Sequence, residues 1–144
     1  MRNRVVNQDR EKAIFALESV EQFIETHNIE YQKKYRAYLR TIPSMILTNG
    51  LGATITFIFS KNSEEVYNQL GSNIYDWLNK NTYTSMINLE HKREPKEKLE
   101  ELMKKIILLN STTEYRAVTN EILALFAWLK RFAEGKIEGE EADG

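Results

Sequence analysis

Between Tyr31 and Ser63 the chain carries five positive charges, Lys33, Lys34, Arg36, Arg40 and Lys61, and not one Asp or Glu. Cations at short spacing with no acid between them are the residue types that grip phosphate or carboxylate groups. A helix turns about 100° per residue, so Lys33, Arg36 and Arg40 would share one face as a basic row. Tyr35 and Tyr38 are interleaved with that row. An aromatic ring among cations can stack on a nucleobase, a contact worth roughly 1–3 kcal/mol per base, or it can pack into the core. Both readings stand on the sequence. The competing reading of the whole segment is a core helix with a solvated charged face, which is ordinary in soluble domains. Arg116, Lys130 and Arg131 form a second, weaker cationic set.

Catalytic chemistry finds less support. The two histidines, His27 and His91, are far apart and in no ligand spacing, so no metal site is expected. Glu97 with Glu101, and Glu18 with Glu21 and Glu25, fall at helical spacing. They read as solvated surface carboxylates, with nothing nearby to raise a pKa. Asn49-Gly50-Leu51-Gly52 lacks the spacing of a phosphate loop and reads as a turn. None of Ser44, Ser60, Ser63, Ser72, Ser85 and Ser111 sits in a nucleophile elbow. The expectation is a binding protein without catalytic residues or cofactor.

Length and composition agree. A chain of 144 residues with 42% hydrophobic and 28% charged residues fits one globular domain. The absence of cysteine excludes disulfides and thiolate metal sites. No apolar run reaches the ~18–20 residues that span a bilayer, and the polar N-terminus lacks a signal-peptide core. A cytoplasmic, membrane-free location is expected. Net charge is only −1, against a dedicated, uniformly basic nucleic-acid binder. That average hides a split. From Lys136 to Gly144 one lysine faces Glu138, Glu140, Glu141 and Asp143, a net −3. Local charge decides attraction over a Debye length of about 8–10 Å.

The elements that must position these residues are helices. Ala13, Ala16, Leu17, Val20, Phe23 and Ile24 recur at three- and four-residue steps and predict a helix over Arg4–His27, with Val5 or Val6 in register. Tyr31–Asn49 follows, kinked or broken near Pro43, which removes a backbone donor and crowds the Leu39 carbonyl. Gly50 suits the left-handed position after a helix end. Leu51–Phe59 is rich in β-branched and aromatic residues. It has no partner strand, so a short buried helix is expected instead. A capping box of Asn62 and Glu65 would start the next helix, with Val66, Leu70, Ile74, Trp77 and Leu78 buried. Asn79–Thr84 would end it, and Tyr83–Leu89 would add a short helix. His91–Pro95 reads as an exposed loop, and Lys96–Leu109 as a helix with Leu99, Leu102, Met103, Ile106 and Leu109 on one side. Ser111 with Glu114 would cap a last helix that Gly135 stops. Trp77 and Trp128 fall on apolar stripes and are expected in the core. The sum is an all-α, compact single-domain bundle of about six helices over residues 1–134, then an acidic disordered tail over 135–144.

Two blocks carry a family resemblance. Pro43-Ser-Met-Ile-Leu-Thr-Asn49-Gly50-Leu51 before an apolar run resembles the P-x-x-I-x-x-N-G-L block of the small subunit of Cmr complexes, the type III-B CRISPR RNA-guided effectors. The stretch from Glu114-Tyr115-Arg116 through Glu121 to Trp128-Leu129-Lys130-Arg131-Phe132-Ala133 is similar to that family's second signature. Order, separation and length fit over about Arg10 to Glu134. Ala53 departs from the Gln found in many members. The resemblance implies an all-helical, non-catalytic ribonucleoprotein subunit acting in antiviral defense. Its partners would be other Cmr subunits, neighbouring copies of itself, and the groove where guide RNA pairs with target RNA. On that reading Lys33, Lys34, Arg36, Arg40 and Lys61 face nucleic acid, with Arg116, Lys130 and Arg131 as secondary candidates. A helical protein–protein adaptor is the alternative. A helix-turn-helix regulator fits poorly, because the helix after Gly50 is too apolar to face DNA.

Overall fold

The computed structural model describes residues 2–80 and 87–139, with side chains from Asn7 onward. Among the described residues the chain is all-α. Six helices follow one another: α1 Arg2–Thr26, α2 Ile29–Asn49, α3 Leu51–Ser60, α4 Glu65–Lys80, α5 Pro95–Ile107 and α6 Thr112–Lys136. Leu51–Ser60 is helical, as the missing partner strand required, despite its β propensity. Most of the Tyr83–Leu89 stretch lies outside the described residues, and Ile87–Leu89 are not helical. The tail from residue 140 also lies outside them.

The chain divides into two compact units, residues 1–41 with 124–144, and residues 42–123. In the first unit the turn between α1 and α2 is only His27-Asn28. Asn28 Oδ1 accepts the Tyr31 N–H at 3.0 Å, an N-cap that satisfies an orphan donor of α2. Gln32 Nε2 donates back to the carbonyls of His27 (2.8 Å) and Ile24 (3.2 Å), tying the two helix ends. Ala16, Val20, Phe23, Tyr35, Leu39, Leu125, Phe126, Leu129 and Ala133 form the core.

The second unit packs α3, α4 and α5 on one another. A Cβ on Gly71 of α4 would stand 2.8 Å from Leu99 Cδ1 of α5, so the two helices approach closely where the side chain is missing. Gly50 holds φ +91°, a conformation that glycine adopts without strain. It lets the chain turn from α2 into α3.

Of the two alternatives at Pro43, a kink or a break, the break does not occur: α2 runs through the proline to Asn49. Two local expectations need correction. Asn62 does not cap α4; the helix starts at Glu65, and the Asn62 carbonyl accepts from Asn68 Nδ2 at 2.5 Å. Gly135 does not stop α6, which reaches Lys136. There Ile137 N–H still donates to Ala133 O at 2.9 Å and the Ile137 side chain is buried. The apolar anchor outweighs the single glycine. Ser111, by contrast, caps α6 as expected, accepting the Glu114 N–H at 3.2 Å.

Candidate nucleic-acid interface

The cations singled out by sequence fall in both units. Lys33, Lys34, Arg36, Arg40, Lys130 and Arg131 belong to the first, and Lys61 and Arg116 to the second. On α2 the core positions are Tyr35, Leu39 and Ile42. Helical spacing then separates Lys34 from the other three. Lys33, Arg36 and Arg40 flank the core stripe on one side; Lys34 sits across the helix with Tyr38 and Thr41.

The row is graded in exposure. Lys33 and Lys34 are exposed, while Arg36 and Arg40 are half-buried. Arg40 Nη2 donates to Glu134 Oε2 at 3.2 Å. Arg36 lies against Gly139, where an added Cβ would run into its guanidinium. One acid that the Tyr31–Ser63 segment lacks is thus supplied to Arg40 by Glu134 of α6, 94 residues later. Glu134 and Gly139 were not singled out by sequence. Nothing in local spacing pointed to either, because each contact joins segments about a hundred residues apart.

Tyr35 is core, not a stacking platform. It is fully buried and its ring stacks on Phe23 at 4.2 Å and 14°. Burial in apolar surroundings pushes its hydroxyl well above the usual tyrosine range, because the charged form would lose its water. The Phe23 ring in turn stacks on His27 at 3.9 Å, which places that histidine as a packing residue. Tyr38 is half-buried.

On α6 Lys130 is half-buried and Arg131 exposed. Trp128, expected in the core, is half-buried beside them, with Nε1 donating to Asp9 Oδ1 at 3.3 Å and its ring near Phe132 at 5.8 Å. An indole N–H needs an acceptor, and here it finds one at the surface. A shallow groove is lined by Ala127, Trp128 and Arg131. Trp77, as expected, is core, and its Nε1 donates to Glu121 Oε2 at 2.7 Å.

In the second unit Lys61 is exposed at the end of α3, with Nζ 5.7 Å from the Phe57 ring centroid. Arg116 is exposed on the first turns of α6. The carboxylate Glu101, read as a solvated surface group, is instead buried. It accepts the Glu90 N–H at 2.8 Å and pairs with Lys105 at 3.5 Å. Tyr75 OH donates to Glu90 O and accepts the Lys92 N–H at 2.8 Å. The polar stretch before α5 is therefore exposed in its side chains but pinned through its backbone. Among the described residues no three His, Cys, Asp or Glu side chains group as metal ligands.

The two signature blocks meet in this unit. Tyr115 OH accepts the Gly52 N–H at 2.7 Å, joining the start of α6 to the first turn of α3. Glu121, from the same block, takes the Trp77 indole. A family model described as CRISPR-associated protein (Cas_Cmr5) matches residues 8–136. The chain belongs to the Cas_Cmr5 family. It is similar to a solved structure, the X-ray crystal structure of a CRISPR-associated Cmr5 family protein from Thermus thermophilus. The TM-score is 0.68 and the identity 23%, over 90% of this chain and 97% of that one. At that identity the likeness establishes a shared fold. Family membership makes the chain a small subunit of a Cmr complex of the type III-B CRISPR systems, with other Cmr subunits as partners. For this Cmr5-family chain, Tyr115, Glu121 and Gly50 have structural explanations, whereas Lys33, Lys34, Arg116 and Arg131 stand exposed.

Proposed function

We propose that this chain is a non-catalytic structural subunit that stacks along the guide-RNA filament and helps wall the groove holding target RNA in antiviral defense. In this reading Lys33, Arg36 and Arg40 meet phosphate groups, and Lys34, Lys61, Arg116, Lys130 and Arg131 extend the positive field. Such contacts position RNA without reading its sequence. Specificity comes from pairing with the guide, and target cleavage belongs to other subunits. The observation that carries the reading is a three-cation face on one helix, graded from exposed Lys33 to half-buried Arg40, in a chain of this family. Leu47, Ile107 and Leu108 support protein–protein stacking as large apolar side chains left exposed in the second unit. No helix among the described residues is long and apolar enough to cross a membrane, which accords with work in the cytoplasm.

The test is target-RNA capture by the assembled complex carrying Lys33→Glu, Arg36→Glu and Arg40→Gln. Glutamine at position 40 avoids setting two carboxylates against each other beside Glu134. Capture should weaken, and the slope of log affinity against log salt should become shallower by about 0.7–0.9 per lost phosphate contact. Normal assembly with unchanged capture would overturn the assignment. Loss of assembly with RNA affinity intact would assign the row to an acidic protein neighbour instead.

A further inference from the structure

The end of the second signature block divides by burial. Leu129 and Ala133 are fully buried in the core of the first unit. Trp128 and Lys130 are half-buried, and Arg131 is exposed. Trp128 is a large ring left at a surface, and it is held there. Its Nε1 donates to Asp9 Oδ1 of α1 at 3.3 Å, and its ring lies 5.8 Å from that of Phe132 at an interplanar angle of 22°. The single donor of the indole is thereby spent on α1, so what the ring offers outward is its carbon surface. A ring fixed from two sides has little freedom left to lose when a ligand lands on it. Beside it the groove lined by Ala127, Trp128 and Arg131 has a volume of about 280 Å³. Pockets that enclose a drug-sized ligand run to roughly 300–1,000 Å³. This shallow one suits a single planar ring laid on the indole, with the small Ala127 leaving room at its edge. Charge narrows the occupant. Further along α6 Lys136 pairs with Glu21, but neither Lys130 nor Arg131 pairs with a carboxylate among the described residues. A neutral apolar occupant would strip water from those cations without replacing it, which costs free energy. A flat ring with an anion attached meets both demands, and a nucleotide of a single strand is such a group.

We propose that Trp128 is a base-stacking platform: one unpaired nucleobase of a single-stranded RNA lies on the indole beside Ala127, and the adjoining phosphates meet Arg131 and Lys130. The inference deepens the reading of the chain as an RNA-binding subunit and rests on it. The indole N–H is already taken, and the three lining side chains carry no hydrogen-bond acceptor. The base is therefore held by its face and not read by its edge, so any of the four bases is accepted. That suits a subunit whose RNA is chosen by pairing with a guide.

Trp77 is 2% exposed, so an added ligand can stack only on the indole of Trp128. The experiment follows the tryptophan fluorescence of the full chain at low salt as a single-stranded oligouridylate, or an abasic oligonucleotide of equal length, is added. Affinities come from the anisotropy of end-labelled copies. The oligouridylate should quench the fluorescence and the abasic strand should not. Trp128→Ala should weaken oligouridylate binding about fivefold to a hundredfold and leave the abasic strand unaffected. Trp128→Phe keeps a ring and should recover most of that loss. Binding without quenching, or an equal loss for both strands, overturns the proposal and leaves the RNA reading of the basic row standing. Binding of neither strand overturns it as well, and target capture by the assembled complex then judges the row on its own. RNA affinity intact in Trp128→Ala with assembly of the complex lost would assign the groove to a protein neighbour. If Trp128→Ala loses helicity, quenching of the unaltered chain by the two strands decides.

Discussion

The two units put their polar atoms to different use. In residues 42–123 the polar side chains that matter are turned inward. Tyr115 holds the first turn of α3, Glu121 takes the Trp77 indole, and Tyr75 with Glu101 pins the backbone from Glu90 to Lys92. In the first unit the comparable groups lie at the surface or half-buried. Arg40 meets Glu134, Lys136 meets Glu21, and Trp128 reaches Asp9. Six of the eight cations assigned to nucleic acid belong to that first unit, so the binding reading leans on it. The contrast teaches that a signature residue need not be a contact residue. The paired blocks that mark the family contribute hydrogen bonds to the second unit, while the row proposed to meet RNA lies outside both blocks.

The comparison breaks first at the glycines. Gly71→Val should cost about 1–3 kcal/mol of stability, because its side chain has to displace Leu99 from a packed helix contact. Gly135→Ala near the end of α6 meets nothing within 4 Å and should be neutral or stabilising by up to about 1 kcal/mol. Denaturant midpoints read both, and a tolerated Gly71→Val would mean that α4 and α5 are not tightly apposed.

Tyr35 sharpens the account of the first unit. Its hydroxyl is held protonated by burial, so above the ordinary tyrosine pKa of about 10 the unfolded chain loses that proton while the folded chain keeps it. The unfolded state then binds fewer protons, and stability must fall as pH rises above that value. Unfolding followed from neutral pH upward should show this extra alkaline loss, and Tyr35→Phe should lack it. An identical pH profile for the two would mean that the ring is not desolvated.

The smallest effect is expected at Arg40 and Glu134, whose side chains are 40% and 29% exposed. A double-mutant cycle with Arg40→Gln and Glu134→Gln should give a coupling of about 0.2–1 kcal/mol, shrinking in high salt. A larger, salt-independent coupling would make the pair structural and weaken its assignment to RNA.

Much of the fold was legible because helical periodicity is a local property. The stripe of Val66, Leu70, Ile74 and Trp77 names its own buried face, and so does that of Leu99, Leu102 and Ile106. Capping was legible at Ser111 and failed at Asn62, where chain geometry after α3 placed the first turn three residues later. Glu101 was misread because spacing along α5 cannot show that another segment's backbone will need its oxygen. Trp128 was misread for a related reason: an apolar stripe does not show where the indole N–H finds an acceptor.

The sequence by itself determined that the chain is helical, that α2 carries a one-sided basic row, and that two motif blocks place it in its family. These follow from residue type and from spacings shorter than a few turns, which a single segment contains in full. Only the tertiary structure decided which of those cations stand in solvent. Arg40 meets Glu134 and Arg36 meets Gly139 across about a hundred residues of chain, and that pairing depends on which helix faces pack together. Tyr35 went to the core for the same reason: burying its ring against Phe23 removes apolar surface from water, and no local spacing records that partner.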